Sequence, residues 1–471
     1  MYQLPHQHQQ HHITFDNDGS IPVFYRYQYD SDYNAIINSK CVSTSSTDGP
    51  VKQDATDDNP VKEDSLSFTY PLISFLFSLL NITINTTLVY LFYTENQQAW
   101  FILTLSLLVI PFLMVNIFSI KWYIQDYRTT EPCAPRRPKL TLFQWILKIF
   151  AHLLLIGHLF RYFDLLFFTY KCYSLKRKEE SKKCKEDFYL SILQHSANLT
   201  HNSTTINSKP VKENNESIEY VNYYLLTINE DRDTALLSLI KSFSQSTPIV
   251  ILQTYIIAST TTNLSLQRTI VMLQLASILS CLVLTSWSLA SYHRALRRSI
   301  PEKGNMSSYG VILSFLWRLG TLTCRTMSIG LFISSFSYWI LPIAIGHWGI
   351  MTIWVMHQGT HFCRHEQSEY LFNMILGLLY LFEFLNIKDE PTRYKYAAYY
   401  CIMVIENLIL TGLWFIKVTH LESPIHHLSA LTIYTGLASA FALGIVFMLI
   451  YYRFAHPNGK LLWVNKAAKC C

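Results

Sequence analysis

Long apolar stretches follow one another along the chain from residue 68 to residue 452, separated by short polar loops. A helix needs roughly 20 predominantly apolar residues to cross the ~30 Å hydrocarbon core of a bilayer. Stretch length therefore identifies these segments as membrane helices, because a transmembrane β-barrel would show short alternating segments instead. The pattern predicts an all-α polytopic membrane protein. Ten stretches are candidates: 68–93, 98–120, 141–170, 236–258, 266–290, 308–336, 338–356, 368–387, 396–417 and 428–452.

Lysine and arginine are concentrated in some polar segments and missing from others, and this bias predicts which segments are cytosolic. Basic residues mark 121–140, 171–187, 292–303, 388–395 and the tail 453–471, whereas 94–97, 259–265, 337–346 and 418–427 carry none. Ten simple crossings conflict with this distribution, because 141–170 and 368–387 each have basic residues on both sides. We therefore predict that these two segments enter the membrane and turn back. The result is about eight transmembrane helices plus two re-entrant elements, with both termini cytosolic. The alternative is that the charge rule fails at two loops and all ten segments cross.

The order of these elements occurs twice, which predicts pseudo-repeated halves of a kind common in membrane transport folds. The first membrane half is 68–290, with a loop at 171–235, and the second is 308–452. Two cytosolic tails flank them, 1–67 and 453–471. The N-terminal tail holds ten acidic and four basic residues and is too polar to bury a core, so we expect it to be disordered.

Composition narrows the function classes further. Half of the residues are hydrophobic and only 15% are charged, against about 25% charged in an average soluble domain, which excludes a soluble enzyme. The net charge of +6 comes from basic loops suited to anionic lipid, so no nucleic-acid partner is expected. The ten cysteines form no CxxC framework, and no nucleotide or catalytic motif occurs. We therefore expect no enzyme activity, no metal and no cofactor.

Polar and ionisable residues inside the apolar stretches are the candidates for function, because placing them in hydrocarbon is costly. Asn81 and Asn85 are four residues apart and share one helix face, as do Arg318 and Arg325, which are seven apart. Such groups could line a hydrophilic path. The alternative is structural, with ion pairs and amide hydrogen bonds that hold helices together. The candidate path residues are Asn81, Asn85, Arg161, Asp164, Asp233, Arg318, Arg325, Glu369, Glu383 and Glu406.

The two tails carry candidate modification sites. A DxxD sequence ends at Asp57, and executioner caspases cut after the last aspartate of such a motif in an extended chain. Asp48 and Asp18 are alternative cleavage sites because each precedes a glycine. At the other end, Cys470 and Cys471 follow basic residues near the membrane, which makes them candidate acylation sites. The alternative for both tails is that these residues are unmodified.

Several short sequences, mostly in the second part of the chain, occur together in one family of membrane proteins. They are Ser244–Ile249 with Leu252–Ile256, Trp317–Leu319 with Arg325, His347–Thr352, Glu369–Asn373, and Asn386–Lys388 through Thr392–Tyr396 to Glu406–Leu408. On these residues the chain resembles the XK-related family, over roughly 68–452 and more weakly before 236. The resemblance implies a fold of eight spanning helices with two re-entrant elements.

The resemblance also implies a function. Some XK-related proteins scramble phospholipids in apoptosis, when caspase cleavage of a terminal tail switches on exposure of phosphatidylserine at the plasma membrane. The candidate path residues would then form a lipid path, and the partners would be membrane phospholipids, a caspase and a single-span chaperone subunit. The family usually has two aspartates where this chain has Asn81 and Asn85, which removes negative charge from that path. No aspartate follows Asp389, so only the N-terminal tail holds candidate cleavage sites.

The leading hypothesis is thus an ATP-independent phospholipid scramblase activated by a caspase. Dragging a charged headgroup through hydrocarbon is costly, and a polar path lowers that barrier while lipids move down their own gradient. Two alternatives remain open. The first is a non-transporting scaffold that recruits a lipid-transfer or ectodomain partner, and the second is a solute transporter.

Overall fold

The computed structural model describes residues 60–128, 135–199, 215–259, 266–300, 305–358, 366–385, 393–421 and 424–456. Over these residues the chain is all-helical and contains no strand. The expected cleavage sites Asp57, Asp48 and Asp18 and the expected acylation sites Cys470 and Cys471 lie outside them.

The helices are named here in chain order. They are α1 (Pro60–Thr94), α2 (Gln98–Arg128), α3 (Leu142–Leu153), α4 (Gly157–Leu199), α5 (Asn215–Lys241), α6 (Thr247–Ser259), α7 (Leu266–Ser299), α8 (Ser308–Phe336), α9 (Ile340–His357), α10 (Glu366–Leu379), α11 (Arg393–Leu421) and α12 (Pro424–Ile450). A π-helical turn, Ser242–Ser246, joins α5 to α6, a second follows α12 at Tyr451–Ala455, and a 3-10 turn, Ser337–Trp339, joins α8 to α9.

Seven segments of the described chain are long and apolar enough to cross a membrane, which confirms a multi-pass helical membrane protein. They are Phe68–Thr94, Gln98–Arg128, Glu219–Ser259, Arg268–Ser299, Ser308–His357, Tyr394–His420 and Ser429–Ala455. The sequence predicts eight crossings in these regions. The counts differ because Ser308–His357 is one run of 50 residues, about 75 Å at ~1.5 Å per residue, and contains both α8 and α9. Ser337, with φ at 42°, breaks that run.

Each stretch predicted to re-enter contains a helix too short to span. In 141–170, α3 ends at Leu153, the backbone turns at Leu155 with φ at 62°, and α4 begins at Gly157. In 368–387, α10 ends at Leu379. Helix α3 has 12 residues and α10 has 14, which correspond to about 18 and 21 Å against the ~30 Å of hydrocarbon.

The expectation of a loop at 171–235 is corrected by the structure, because most of this region is helical. Helix α4 continues to Leu199, and α5 begins at Asn215. The physical reason is that residues 171–187 are rich in lysine and glutamate, whose unbranched side chains favour helix and pair with opposite charges one turn apart. The charged residues 171–187 therefore lie within helix α4 and do not mark its end.

The described residues form two compact units. Unit I contains those of 57–331 and 431–471, and unit II contains those of 332–430. In unit I, α4 packs along α5, and α7 packs against both α1 and α5. In unit II, α9 packs along α10.

A buried apolar core and a helical turn before a proline position helices of unit I. Leu88, Phe92, Ile256 and Ile270 form a buried core that joins α1, α6 and α7. At the start of α6, Pro248 has no N–H to donate to the carbonyl four residues earlier, so a regular α-helix cannot continue through this point. The turn Ser242–Ser246 just before this proline is π-helical and therefore wider than an α-helical turn. In it, Thr247 N–H donates to the Ser242 carbonyl.

Helices α8 and α12 approach each other closely in unit I because two glycines face each other. A Cβ atom at Gly320 would lie 2.4 Å from the Ala440 carbonyl oxygen, and one at Gly444 would lie 2.9 Å from the Trp317 carbonyl oxygen. Small residues that allow such backbone approach are typical of helix contacts in membranes.

Candidate functional site

Buried charges in unit I gather where α2, α4 and α5 meet. Arg161 of α4 and Glu230 of α5 are both 0% exposed, and Arg161 Nη1 lies 3.0 Å from Glu230 Oε1. Arg161 also donates to the hydroxyl and the carbonyl of Ser119, at 3.1 and 3.0 Å, and its guanidinium lies 4.2 Å from the centre of the Tyr123 ring. These contacts compensate the burial of the charge and fix the orientation of the guanidinium.

A second arginine reaches the same carboxylate from the segment before α3. Arg137 Nη2 lies 2.5 Å from Glu230 Oε2 and 2.6 Å from Asp126 Oδ2. Burial alone would lower the pKa of Arg137, but Glu230 and Asp126 outweigh burial and hold that pKa well above its usual range. We refer to Asp126, Arg137, Arg161 and Glu230 as the Glu230 cluster. Its two arginines and two carboxylates balance in charge.

Asp164 lies beside this cluster rather than in it. The Tyr123 hydroxyl donates to Asp164 Oδ2 at 2.6 Å, and Lys148 of α3 forms an ion pair with the same oxygen. The Lys148 ammonium also lies 4.2 Å from the centre of the Tyr123 ring. Tyr123 therefore connects two of the predicted path residues, Arg161 and Asp164, into one continuous polar group.

Asp233 lies on α5, three residues after Glu230. It pairs with its neighbour Arg232, whose Nη2 lies 3.2 Å from Asp233 Oδ1. Asp231, two residues before Asp233, contacts another helix, since Arg294 Nη2 of α7 donates to both of its oxygens at 2.8 Å. Arg298 adds a weaker contact to Asp231 at 3.8 Å. This ion pair links α5 to α7.

The two predicted asparagines are fully buried and face α7. Asn81 Nδ2 donates to Ser280 Oγ and Cys281 Sγ, both at 3.2 Å. The Ser277 hydroxyl donates to Asn85 Oδ1 at 2.6 Å, and Asn85 Nδ2 donates to the Asn81 carbonyl at 2.8 Å. We refer to Asn81, Asn85, Ser277 and Cys281 as the asparagine seam. It is made of neutral groups.

One cation stands at the edge of the asparagine seam. Lys241, 1% exposed, donates to Ser78 Oγ at 2.9 Å, and its ammonium lies 4.7 Å from the centre of the Phe112 ring. Ser78 lies one turn of α1 before Asn81, and Gln245, four residues after Lys241, reaches Asn81 Oδ1 at 3.5 Å. Lys241 therefore joins the residues that the sequence selects, although the sequence argument does not name it.

The arginines of α8 are buried as well. Arg318 and Arg325 are each 2% exposed. Arg318 Nε lies 3.3 Å from Ser314 Oγ, and its guanidinium lies 5.0 Å from the centre of the Trp317 ring. Both belong to unit I, so the structure brings them into the same unit as Asn81, Arg161, Asp164 and Asp233.

Unit II holds the remaining predicted residues. His347 Nδ1 lies 2.7 Å from Glu406 Oε1, and its Nε2 lies 3.2 Å from the Tyr380 carbonyl, so both ring nitrogens face acceptors. Glu383 is 0% exposed and accepts from the Tyr400 hydroxyl at 2.7 Å. Glu369 lies half-buried on α10.

Sequence reasoning misses Glu230, Asp231, Arg137, Lys241 and His347. The run 230–233 contains four charges in succession, and it precedes the apolar stretch, so it resembles a loop. The available signal is that apolar residues at 226 and 228 continue the helix upstream of this run. Nothing local marks Arg137, whose partner Glu230 is 93 residues away.

No group of three or more histidine, cysteine, aspartate or glutamate side chains suited to a metal ion occurs in the part of the chain that the structure describes. The chemistry of the buried groups is therefore that of ion pairs, amides and hydroxyls. Such groups can bind or pass a charged solute.

Comparison with known families agrees with this chemistry. Residues 69–457 match the family described as XK-related protein. The chain belongs to the XK-related family. The match spans the buried groups of both units, from Asn81 of the asparagine seam to Glu406. XK-related proteins are generally transporters or scramblases rather than enzymes, and the family includes phospholipid scramblases.

Proposed function

We propose that this XK-related protein is a phospholipid scramblase that exposes phosphatidylserine at the plasma membrane without using ATP. The observation that carries the proposal is the burial of charged and amide side chains, from Asn81 to Glu230, inside helices long enough to cross a membrane. Such groups lower the cost of moving a charged headgroup through hydrocarbon. Family membership supports the same function.

The proposed lipid path uses both signs of charge. A headgroup such as that of phosphatidylserine carries an ammonium, a phosphate and a carboxylate, so it can exchange partners with ion pairs like Arg161–Glu230 or His347–Glu406. Partner exchange keeps every buried charge compensated while the headgroup moves. The acyl chains remain in lipid throughout. In unit I the proposed path residues are Asn81, Asn85, Arg161, Asp164, Asp233, Arg318 and Arg325, with Glu230 added from the structure. In unit II they are Glu369, Glu383 and Glu406, with His347 added.

We also propose a topology of eight crossings and two re-entrant elements in pseudo-repeated halves, with both termini cytosolic. The short helices α3 and α10 support it, because neither can span the bilayer alone. The basic residues on both sides of 141–170 support it as well. Backbone turns inside a membrane are tolerated where protein shields them, and α3 packs against both α2 and α4.

Activation is proposed to occur by caspase cleavage after Asp57, with Asp48 and Asp18 as secondary sites. The acidic N-terminal tail and the basic cytosolic loops support this proposal by charge complementarity. A single-span chaperone subunit is the proposed protein partner. Acylation of Cys470 or Cys471 would anchor the basic C-terminal tail at the membrane surface.

The deciding experiment reconstitutes full-length and tail-deleted protein in liposomes that carry a fluorescent lipid in both leaflets. Dithionite quenches only the outer leaflet, so a scramblase raises the quenched fraction from about half toward completion. We expect this increase for the tail-deleted protein, and a smaller one for the full-length chain. Quenching that stops at half for both proteins would exclude scrambling and favour the scaffold that recruits a lipid-transfer or ectodomain partner.

A further inference from the structure

Lys241 lacks the kind of partner that several buried cations of unit I have. Arg161, Arg294 and Lys148 each contact a carboxylate. Among the described residues, the Lys241 ammonium contacts a serine hydroxyl and a phenyl ring but no carboxylate. An ammonium group taken out of water without a counter-charge is costly. An anion bound at this position would compensate the charge of the ammonium.

Hydrogen-bond donors close to Lys241 are also unused. Both ring nitrogens of His158, which is 4% exposed, lack a hydrogen-bond partner within the described chain. The Leu155 carbonyl near that ring accepts from Asn116 Nδ2 at 2.8 Å. Phe112 packs against both groups, with its ring centre 5.1 Å from that of His158.

The backbone next to Lys241 is not regular α-helix. Lys241 is the last residue of α5, directly before the π-helical turn Ser242–Ser246. Single π-helical turns inside α-helices are frequently found at functional sites. One buried atom of this turn, Gln245 Oε1, has no hydrogen-bond partner in the described part of the structure. The turn thus places a hydrogen-bond acceptor without a partner next to the asparagine seam.

We propose that Lys241, Ser78 and His158 form a buried site for the phosphate group of an anionic phospholipid. Phosphate oxygens accept several hydrogen bonds at once, which suits an ammonium with spare N–H groups, a hydroxyl and an imidazole N–H. The Gln245 carbonyl oxygen suits the ammonium or hydroxyl that a serine or glycerol headgroup carries. This inference rests on the proposed scramblase function, because it places the site on the path of the headgroup. Since these side chains are closed to solvent in the structure, the anion enters when the helices separate.

The site predicts a preference among headgroups. A phosphatidylcholine headgroup carries a fixed positive charge close to its phosphate, and this charge is repelled by Lys241. Phosphatidylserine and phosphatidylglycerol have a net negative headgroup and are attracted. Inorganic phosphate offers the same oxygens without a lipid, so it serves to distinguish a lipid site from a site for a small anion.

The test measures binding and transport separately with the full-length protein. In detergent, dioctanoyl phosphatidylserine should raise the melting temperature in a saturable manner, with dioctanoyl phosphatidylcholine and inorganic phosphate much weaker. Lys241→Met should weaken phosphatidylserine binding by roughly 10- to 100-fold, and Lys241→Arg should retain most of it. Ser78→Ala provides a milder second variant, with a several-fold loss, if Lys241→Met does not fold. In liposomes, Lys241→Met should reduce the ratio of phosphatidylserine to phosphatidylcholine scrambling.

Lys417→Met is the matched control. The Lys417 ammonium also contacts a neutral oxygen, the Ser335 carbonyl, and lies 4.7 Å from the centre of a phenyl ring, but the residue is exposed. It should leave binding and the scrambling ratio unchanged. Unaltered phosphatidylserine binding in Lys241→Met would overturn the inference, as would equal stabilisation by inorganic phosphate. If the protein scrambles lipid but phosphatidylserine binding does not depend on Lys241, the Lys241 site is refuted and the scramblase function stands. If phosphatidylserine binding depends on Lys241 but the protein does not scramble lipid, the anion site is supported and the scramblase function is refuted.

Discussion

Arg161 and Glu230 form an ion pair between α4 and α5 in which neither side chain is exposed and Nη1 lies 3.0 Å from Oε1. Glu230 is shared, because its second oxygen lies 2.5 Å from Arg137 Nη2. One carboxylate therefore compensates two buried guanidinium groups, with Asp126 assisting at Arg137. Breaking a buried ion pair on one side leaves an uncompensated charge in a medium of low polarity. The stability of this region thus depends more on Glu230 than on either arginine.

Glu230→Gln should destabilise the protein strongly. The amide cannot balance Arg161 and Arg137, so we expect a loss of about 3–5 kcal/mol, seen as a lower melting temperature in detergent and a smaller yield of monodisperse protein. Glu219→Gln is the control, because Glu219 lies exposed on the same helix and should change stability by less than ~0.5 kcal/mol. Equal melting of the two variants would show that the Glu230 cluster is hydrated.

The imidazole of His347 should stabilise unit II through its two acceptors, Glu406 and the Tyr380 carbonyl. His347→Leu removes the contacts of the imidazole with Glu406 and with the Tyr380 carbonyl, and hydrogen bonds to charged groups contribute about 1.5–3 kcal/mol. His357 is exposed on the same helix α9, so His357→Leu should have almost no effect. Thermal unfolding of both variants measures the difference. A melting temperature for His347→Leu within error of the wild type would contradict this role.

Side-chain size should decide stability where α8 meets α12. Gly320→Ala places a methyl group 2.4 Å from the Ala440 carbonyl oxygen, and overpacking of this kind costs about 1–3 kcal/mol. Gly436 lies on α12 with no atom within 4 Å of the position of its Cβ, so Gly436→Ala should be neutral or stabilising by up to ~1 kcal/mol, because alanine favours helix. The two alanine variants should therefore differ in the sign of their melting-temperature shift. A matching shift would mean that α8 and α12 are further apart than described.

The membrane-spanning helices were predictable from sequence, because the length of an apolar stretch is enough to identify them. The four-residue spacing of Asn81 and Asn85 was equally informative, since an α-helix has one geometry and the two amides must lie on one face. Both do face α7, where Ser277 and Cys281 meet them.

Partners across the fold were not predictable. Arg137 meets Glu230, and His347 meets Glu406 59 residues later, and no local pattern encodes which distant charge will be close. Asp231 was not selected from the sequence, although it makes the contact with Arg294 of α7. Which residues of α5 face α7 depends on the rotation of α5 about its axis, which is set by tertiary packing rather than by sequence spacing.

The proposed topology places the two ends of 141–170 on the same side of the membrane. Single cysteines at Thr130 and Glu180, introduced in a background without the native accessible cysteines, should both react with a membrane-impermeant reagent only after permeabilisation of the cell. A cysteine at Asn263, in a loop without basic residues, should react from outside and provides the control. Labelling of 130 and 180 from opposite sides would restore ten simple crossings.

Cleavage after Asp57 should switch the protein on. The cut removes seven of the ten acidic residues in 1–67, and these charges would otherwise attract the basic loops 121–140 and 292–303. Attraction between exposed charges is screened within about 10 Å at 0.1 M ionic strength, so inhibition also requires the tail to block the cytosolic end of the path. Caspase digestion of purified protein should yield one cut at Asp57, and cells carrying Asp57→Ala should expose phosphatidylserine several-fold more slowly after an apoptotic stimulus.

Asp58→Ala is the matched control for this prediction, because it removes one adjacent acidic residue and leaves the DxxD sequence intact. It should be cleaved and should expose lipid at the wild-type rate. If Asp57→Ala exposes lipid as fast as the wild type, Asp57 is not the switch, and Asp48→Ala and Asp18→Ala become the next variants. If all three variants are cleaved as before and expose lipid normally, the tail does not gate the path, and activation depends on a partner subunit instead.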